Sequence, residues 1–371
     1  MVLLKTIFNF SKSFLIIILI TFFFTLIIDF FFGKLILKSL DPYLLKTNFY
    51  ERLIRIDHKF YHHTLRENIK YDKAPSFKKY YTLCTDNHGF KYKCGFVRNK
   101  EFEIAFLGDS FVEGVSLNYE KTFVGIFEAK KNISVANLGV TSYAPNIYLS
   151  KVKYLLDNNY KFKHLIVFID ISDVFDDNTV YKLNEDFSIS ERNTKEKNLK
   201  IKKFLRYNFP LTNFYMFVLR VNSRFNKEVP PLKSEKPIFN KRASKKAMWT
   251  YKSDEELEGY QDPINKTQSE MIYAMTELYK LLDANNIKLS LAVYPWPQQL
   301  EFDDMNSKHV EMWKNFCEKK CTKFINFFPF FFEEKIKTSY LDVFKKYYFW
   351  NDVHFNAEGN RVIAEKLIKE F

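Results

Sequence analysis

Glycine is scarce in this chain, nine in 371 residues, and proline is little commoner at eleven. That scarcity excludes collagen-like and linker-dominated material. Only four cysteines are present, too few to build a small fold on disulfides. They fall as two local pairs, Cys84/Cys94 and Cys317/Cys321. Neither pair has the CxxC spacing or the histidine partner of a zinc site. Local pairs of this kind suit small disulfide loops in an oxidising compartment, although four unrelated thiols would give the same spacing. What the chain has in quantity is apolar and aromatic: 47% hydrophobic residues, including 41 phenylalanines. A chain of this length and composition buries a full core and is not disordered.

The formal charge is +13, which invites a nucleic-acid reading. The charge is not spread evenly. Residues 191–246 hold sixteen Lys and Arg against four Glu, a net +12. The remainder carries 41 bases and 40 acids. No helix-turn-helix, zinc-finger or RNP signal accompanies the basic segment, so nucleic acid is not expected as a partner.

Long apolar runs are confined to one place. Residues 14–32 read FLIIILITFFFTLIIDFFF, nineteen residues with one charge, Asp29. As a helix this spans roughly 28 Å, close to the hydrocarbon core of a bilayer. It is longer than a signal-peptide apolar region, and Gly33-Lys34-Leu35 offers no small-residue cleavage site. A retained single-pass anchor is expected, preceded by a short tail at 1–13. Lys5 and Lys12 precede the run while Lys34, Lys38, Lys46 and Arg52 follow it, so positive charge does not place the N-terminus inside. Long translocated domains often ignore that count, and the local cysteine pairs favour a large domain outside the cytoplasm (periplasmic).

Residues 33–100 read as a mixed polar and aromatic connector. His58, His62 and His63 lie there, and with no acidic or Cys partner at matching spacing they are expected on a solvated helix face.

From residue 101 onward strands alternate with helices. Short apolar runs at 101–107, 133–138, 164–169, 288–294 and 324–328 are strand signatures. Helical patterns occupy 122–131, 145–158, 268–284, 307–320 and 356–371, with Pro145 suited to a first turn and Asn356 to a cap. The alternation predicts an α/β fold, a three-layer α/β/α sandwich on a parallel sheet. The basic stretch interrupts it at about 186–254. Within that insertion Phe214, Phe217, Val218, Val221 and Phe225 recur at helical spacing. Such an amphipathic helix with basic flanks is expected to face anionic lipid or an anionic glycan.

Three turns at strand ends carry chemistry. Gly108-Asp109-Ser110 follows the first strand, where an open parallel sheet gathers its ligands. Ser110 placed there suits nucleophilic work if a base takes its proton. Asp352-Val353-His354 precedes the last helix, and a carboxylate two residues from a histidine can hold its tautomer. Gly139 and Ser172 close the second and third strands and face the same crevice, where Gly139 and Ser110 N–H groups could cradle an oxyanion. Tyr294-Pro295-Trp296-Pro297 follows the fourth strand, as a crevice wall or as a rigid stop.

Together these residues resemble the SGNH (GDSL-like) hydrolase superfamily over roughly 101–185 and 255–371. The resemblance implies Ser110 as nucleophile, His354 as base, and Ser110, Gly139 and Ser172 as the oxyanion hole. It implies acyl-ester hydrolysis or transfer, without metal or organic cofactor. For anchored members it implies acyl, chiefly acetyl, esters of envelope or surface glycans. Two positions depart from the family pattern. Ser172 stands where an Asn completes the oxyanion hole, and Asn351 stands three residues before His354, where the acid usually lies. Asp352 is therefore expected to orient His354. A catalytically impaired glycan-binding or scaffold protein, or a lipid esterase or thioesterase, is the alternative.

Overall fold

In the computed structural model the described residues are 2–40, 54–75, 80–192, 204–205, 208–212, 215, 237–239 and 241–371. They fall into two compact units, one formed by 1–50 with 193–233 and one by 51–192 with 234–371.

The first unit contains helix α1 (Val2–Leu40). Its stretch Ile16–Gly33 is long and apolar enough to cross a membrane. Ile17, Phe22, Phe23 and Phe31 are exposed along it. The one charge inside the run is satisfied locally. Asp29 is fully buried and accepts the backbone N–H groups of Leu211, at 2.8 Å, and Thr212, at 2.7 Å. Gly33 makes room for this contact, since a Cβ there would lie 3.0 Å from Pro210. The amphipathic helix expected through Phe214, Phe217, Val218, Val221 and Phe225 lies outside the described residues.

The second unit begins with two antiparallel hairpins, β1 (Arg55–His58) with β2 (His62–Leu65) and β3 (Lys70–Pro75) with β4 (Tyr80–Cys84). Much of the stretch read above as connector therefore folds with the sheet. The histidines are not on a solvated helix face. His58 pairs with His62 across the hairpin. His62 closes the tight turn with a left-handed φ of 74°. His58 stacks on Tyr61 with ring centroids 3.5 Å apart. Burial, aided by Lys151, lowers the His58 pKa to about 4, and burial lowers that of His63 to about 3. The aromatic neighbours, which the spacing of three histidines does not reveal, took this segment into the core.

The main sheet contains β5 (Glu101–Leu107), β6 (Val135–Asn137), β7 (Lys161–Ile169), β10 (Lys288–Val293) and β11 (Lys323–Asn326). A small hairpin, β8 (Tyr181–Leu183) with β9 (Ile189–Glu191), separates β7 from β10. The sheet order is β11-β10-β7-β5-β6, all parallel. After β5 come the short helix α2 (Ser110–Glu113), α3 (Phe123–Lys131) and, beyond β6, α4 (Pro145–Asp157). Then follow α5 (Asp173–Thr179), α6 (Lys241–Ala247) and α7 (Ile264–Ala284). The last third adds α8 (Pro297–Phe302), α9 (Lys308–Cys317), α10 (Phe328–Lys337), α11 (Tyr340–Tyr347) and α12 (Ala357–Glu370). Helix α4 packs on α7, and α3 packs on α12. Right-handed crossovers put these two pairs on opposite faces of the sheet. The predicted three-layer α/β/α architecture is thus the observed one.

Strands β5, β7 and β10 are buried on both faces towards their carboxyl ends, which explains the apolar runs at 104–107, 165–169 and 291–293. Phenylalanine fills the gaps between layers. Phe123 stacks on Phe168 at 4.6 Å, and Phe106 meets Phe127 edge-on at 5.2 Å. The strand order reverses between β5 and β7. In a doubly wound sheet the ligand crevice opens at the carboxyl ends of such a pair. Ser110 follows β5 and Ser172 follows β7, so the fold puts both at that crevice.

Candidate active site

Ser110 opens α2, and its placement follows from its neighbours. Asp109 caps the helix by accepting the Phe111 N–H at 2.9 Å. Gly114 ends it one turn later with a left-handed φ of 67°. A Cβ on Gly108 would lie 2.8 Å from the Phe168 carbonyl, so only glycine lets β5 end this close to β7.

His354 reaches Ser110 from the loop before α12. Its Nε2 lies 2.7 Å from Ser110 Oγ. Its Nδ1 is bonded to Asp352 Oδ1, which also accepts the His354 backbone N–H at 2.9 Å. Phe111 packs against the imidazole with centroids 4.9 Å apart. The three residues expected to form a catalytic chain therefore stand in one hydrogen-bonded line. Burial opposes charge on His354, but Asp352 outweighs it, with help from Asp109 and Asp170, and holds the imidazole pKa above its ordinary value.

Asn351, three residues before His354, has a different task. It adopts a left-handed φ of 63°, and its Oδ1 accepts the Ile238 N–H at 2.9 Å. The acid stands one position closer to the histidine, and the displaced amide ties down the returning limb of the insertion.

Beneath the serine lie three buried acids. Carboxylate oxygens of Asp109, Asp170 and Asp173 lie within 4.8 Å of one another, an arrangement that could hold a cation. Hydrogen-bond donors already approach them. Trp296 Nε1 is 2.5 Å and Tyr294 Oη 3.2 Å from Asp170 Oδ2, and Tyr148 Oη is 2.8 Å from Asp173 Oδ2. Burial, then repulsion from Asp170, pushes the Asp109 carboxyl up to about 7. Burial raises Asp170 and, with both neighbours, lifts Asp173 far above the usual range. This matters at Ser110, whose Oγ also lies 3.0 Å from Asp109 Oδ2. One hydroxyl proton cannot serve two acceptors. The raised Asp109 carboxyl is the weaker competitor for that proton, which favours its direction at His354.

Among the expected oxyanion donors, Ser110 and Ser172 both line a cavity of about 310 Å³ together with Asp109, Thr141, Trp296 and His354. Gly139 is used differently. It is not among the lining residues, and its N–H donates to Asn137 Oδ1 at 3.1 Å. Its lack of a side chain is the visible requirement, since a Cβ would lie 2.5 Å from the Glu113 nitrogen. For Gly139 to hold an oxyanion, the substrate must replace Asn137.

A supporting layer had no sequence signal. Arg55, on β1, makes a bidentate pair with Glu113 of α2 at 2.9 and 3.0 Å. Glu113 also accepts the N–H and the hydroxyl of Thr141 at 2.7 and 2.9 Å. Burial opposes the Glu113 charge, and Arg55 outweighs it and holds the carboxyl below its ordinary range. Lys91 donates to the carbonyls of Gly114 and Leu117 at 2.5 and 2.6 Å, and Lys151 to that of Leu138 at 2.9 Å. The first hairpin and two buried lysines thus fix the turns on either side of the serine.

No family model matches this chain, and no curated protein does. Solved structures similar to it include a lipolytic protein of the G-D-S-L family from Veillonella parvula, at 12% identity and a TM-score of 0.41, covering 72% of this chain and 97% of that one. An acetylxylan esterase from Geobacillus stearothermophilus matches at 12% identity and a TM-score of 0.39, over 72% of this chain and 93% of that one. The psychrotrophic esterase EstA from Pseudoalteromonas matches at 12% identity and a TM-score of 0.35, over 73% and 96%.

Proposed function

We propose that this chain is a membrane-anchored SGNH-type serine esterase or O-acyltransferase acting on acyl, chiefly acetyl, esters of envelope or surface glycans. The observation that carries the reading is the line Asp352–His354–Ser110, with Nε2 to Oγ at 2.7 Å. Ser110 Oγ attacks the acyl carbonyl as His354 Nε2 takes its proton. The N–H of Ser110 and the hydroxyl of Ser172, from two residues of the cavity lining, would hold the developing oxyanion. His354 returns the proton to the leaving sugar oxygen, and the acyl group stays on Ser110. Water or an acceptor hydroxyl then attacks, again giving its proton to His354. His354 returns that proton to Ser110 Oγ as the acyl–serine bond breaks, and a free acid or a new ester leaves.

The hydroxyls and carboxylates set into the cavity wall support a sugar ester over a long-chain lipid. The closed pairs Cys84–Cys94 and Cys317–Cys321 support an oxidising, extracytoplasmic side. Residues 14–32 would anchor the chain there. The surplus of +12 over 191–246 would attract anionic headgroups or glycan. Replacing Ser110 with Ala should abolish both p-nitrophenyl acetate hydrolysis and labelling by a fluorophosphonate probe. Labelling that survives in S110A sinks the assignment.

A further inference from the structure

The wall of the catalytic cavity is not made by the sheet alone. Phe239, Ala243 and Lys246, from the returning limb of the basic insertion, line it together with Ser110 and His354. This limb is fastened at both ends to residues beside the catalytic chain. The Ile238 N–H bonds to Asn351, next to Asp352. Trp249 Nε1 donates to the Ile171 carbonyl at 2.8 Å, next to Ser172. Between the two ties, Lys246 Nζ sits 2.5 Å from Asp176 Oδ2.

We infer that Lys246 and Asp176 form a hydroxyl-reading subsite for the polyol part of the ester, completed by the insertion. The inference rests on the esterase reading of the same cavity. An ammonium carries three N–H donors, and in Lys246 one is directed at Asp176, which leaves two. Asp176 is 1% exposed, and its second oxygen, Oδ1, has no hydrogen-bond partner. A buried acceptor left unpaired is costly and calls for a reason. The pair sets a free donor beside a free acceptor, the complement of two neighbouring hydroxyls on one ring. Its charges cancel, so it selects for hydroxyl geometry and not for an anionic ligand. Phe239 and Trp296 add apolar wall for the ring's C–H face.

The test compares two esters on the full-length protein in detergent. One is a mono-O-acetylated methyl glucopyranoside, which offers free hydroxyls. The other is p-nitrophenyl acetate, which offers none. Loss of a hydrogen bond to a charged group costs about tenfold or more in kcat/KM. Lys246→Met should therefore lower the ratio of sugar-ester to aryl-ester kcat/KM by about tenfold, mainly through KM, and Lys246→Arg should recover part of it. A ratio unchanged in K246M overturns the proposal. If K246M fails to fold, the wild-type protein decides. Methyl glucopyranoside should compete with p-nitrophenyl acetate at least about tenfold better than its tetra-O-methyl derivative, and equal inhibition by the two overturns the subsite. If the wild type cleaves neither ester, the esterase reading fails. Calorimetric binding of the two glucosides then decides the subsite separately, and equal affinities overturn it.

Discussion

Replacing Asp352 separates two tasks that a triad acid performs. Asp352 holds the imidazole in one tautomer, and it stabilises the positive charge that His354 acquires. In this structure both the His354 backbone N–H and its Nδ1 point at a single oxygen, Oδ1 of Asp352. An Asn in that place must turn its own oxygen to the backbone N–H, because its NH₂ cannot accept. The same oxygen then accepts from Nδ1, so the tautomer survives in Asp352→Asn. What is lost is the negative charge. Trading a charge-assisted bond for a neutral one, on a group that is charged in the transition state, costs about 2–3 kcal/mol, or about 10²-fold in kcat. Asp352→Ala loses both tasks, and the deficit should approach about 10⁴-fold. Asp352 also outweighs burial in holding His354 above its ordinary pKa. The acid limb of the pH–rate profile should therefore move to lower pH in both variants. The double swap Asn351→Asp with Asp352→Asn should not restore activity, because position 351 is left-handed and its side chain is engaged by Ile238. The assay is p-nitrophenyl acetate turnover from pH 5 to 9. Equal losses in D352N and D352A, or an unmoved acid limb, would refute the reasoning.

Four other outcomes are expected. Gly139→Ala should lower stability in denaturant titration by about 1–3 kcal/mol, since its Cβ meets the Glu113 nitrogen and Val112 within 2.7 Å; an unchanged midpoint would contradict the packing. Arg55→Met strands the buried Glu113 carboxylate and should cost about 3–5 kcal/mol, read as a fall in melting temperature. Burial pushes Lys91 and Lys151 down to about 7, so above pH 7 the unfolded chain holds protons that the folded chain has released. Stability should then rise with pH from 7 towards 10, by up to about 1.4 kcal/mol per unit for each lysine, and K91M/K151M should flatten that slope in melts across the range. Replacing Lys195, Lys197, Lys200, Lys202 and Lys203 with Gln should weaken binding to anionic vesicles at low salt, and binding indifferent to both charge and salt would refute the electrostatic role of the insertion.

The legible parts of the fold were those with a strong period. The strand cores at 104–107 and 291–293 are continuous apolar runs because both faces are covered, and the helix 264–284 shows its buried stripe in Met271, Met275, Leu278 and Leu282. Helices α10 and α11 went unread, because FFPFFFEE and the residues after it carry aromatics on every side. They pack into an aromatic cluster where Phe331 meets Tyr347 and Phe355. The hairpins at 55–84 went unread for a related reason. The burial of the first comes from contacts with α2 and α4, distant in sequence, as in Arg55 with Glu113 and His58 with Tyr154, and not from alternation along the strands.

The sequence by itself determined the parallel α/β plan, the apolar run suited to a membrane span, the segregation of the basic charge, and the identities of Ser110, Asp352 and His354. These are local properties: a period, a run, a spacing of two residues. Only the tertiary structure decided that Ser110 and His354, 244 positions apart, come within 2.7 Å, and that Asn351 ties down the insertion. It alone showed Gly139 giving its N–H to Asn137, and Lys246 entering the cavity wall beside Asp176. Each of these depends on which strand lies next to which, and that order is set by packing across the whole sheet.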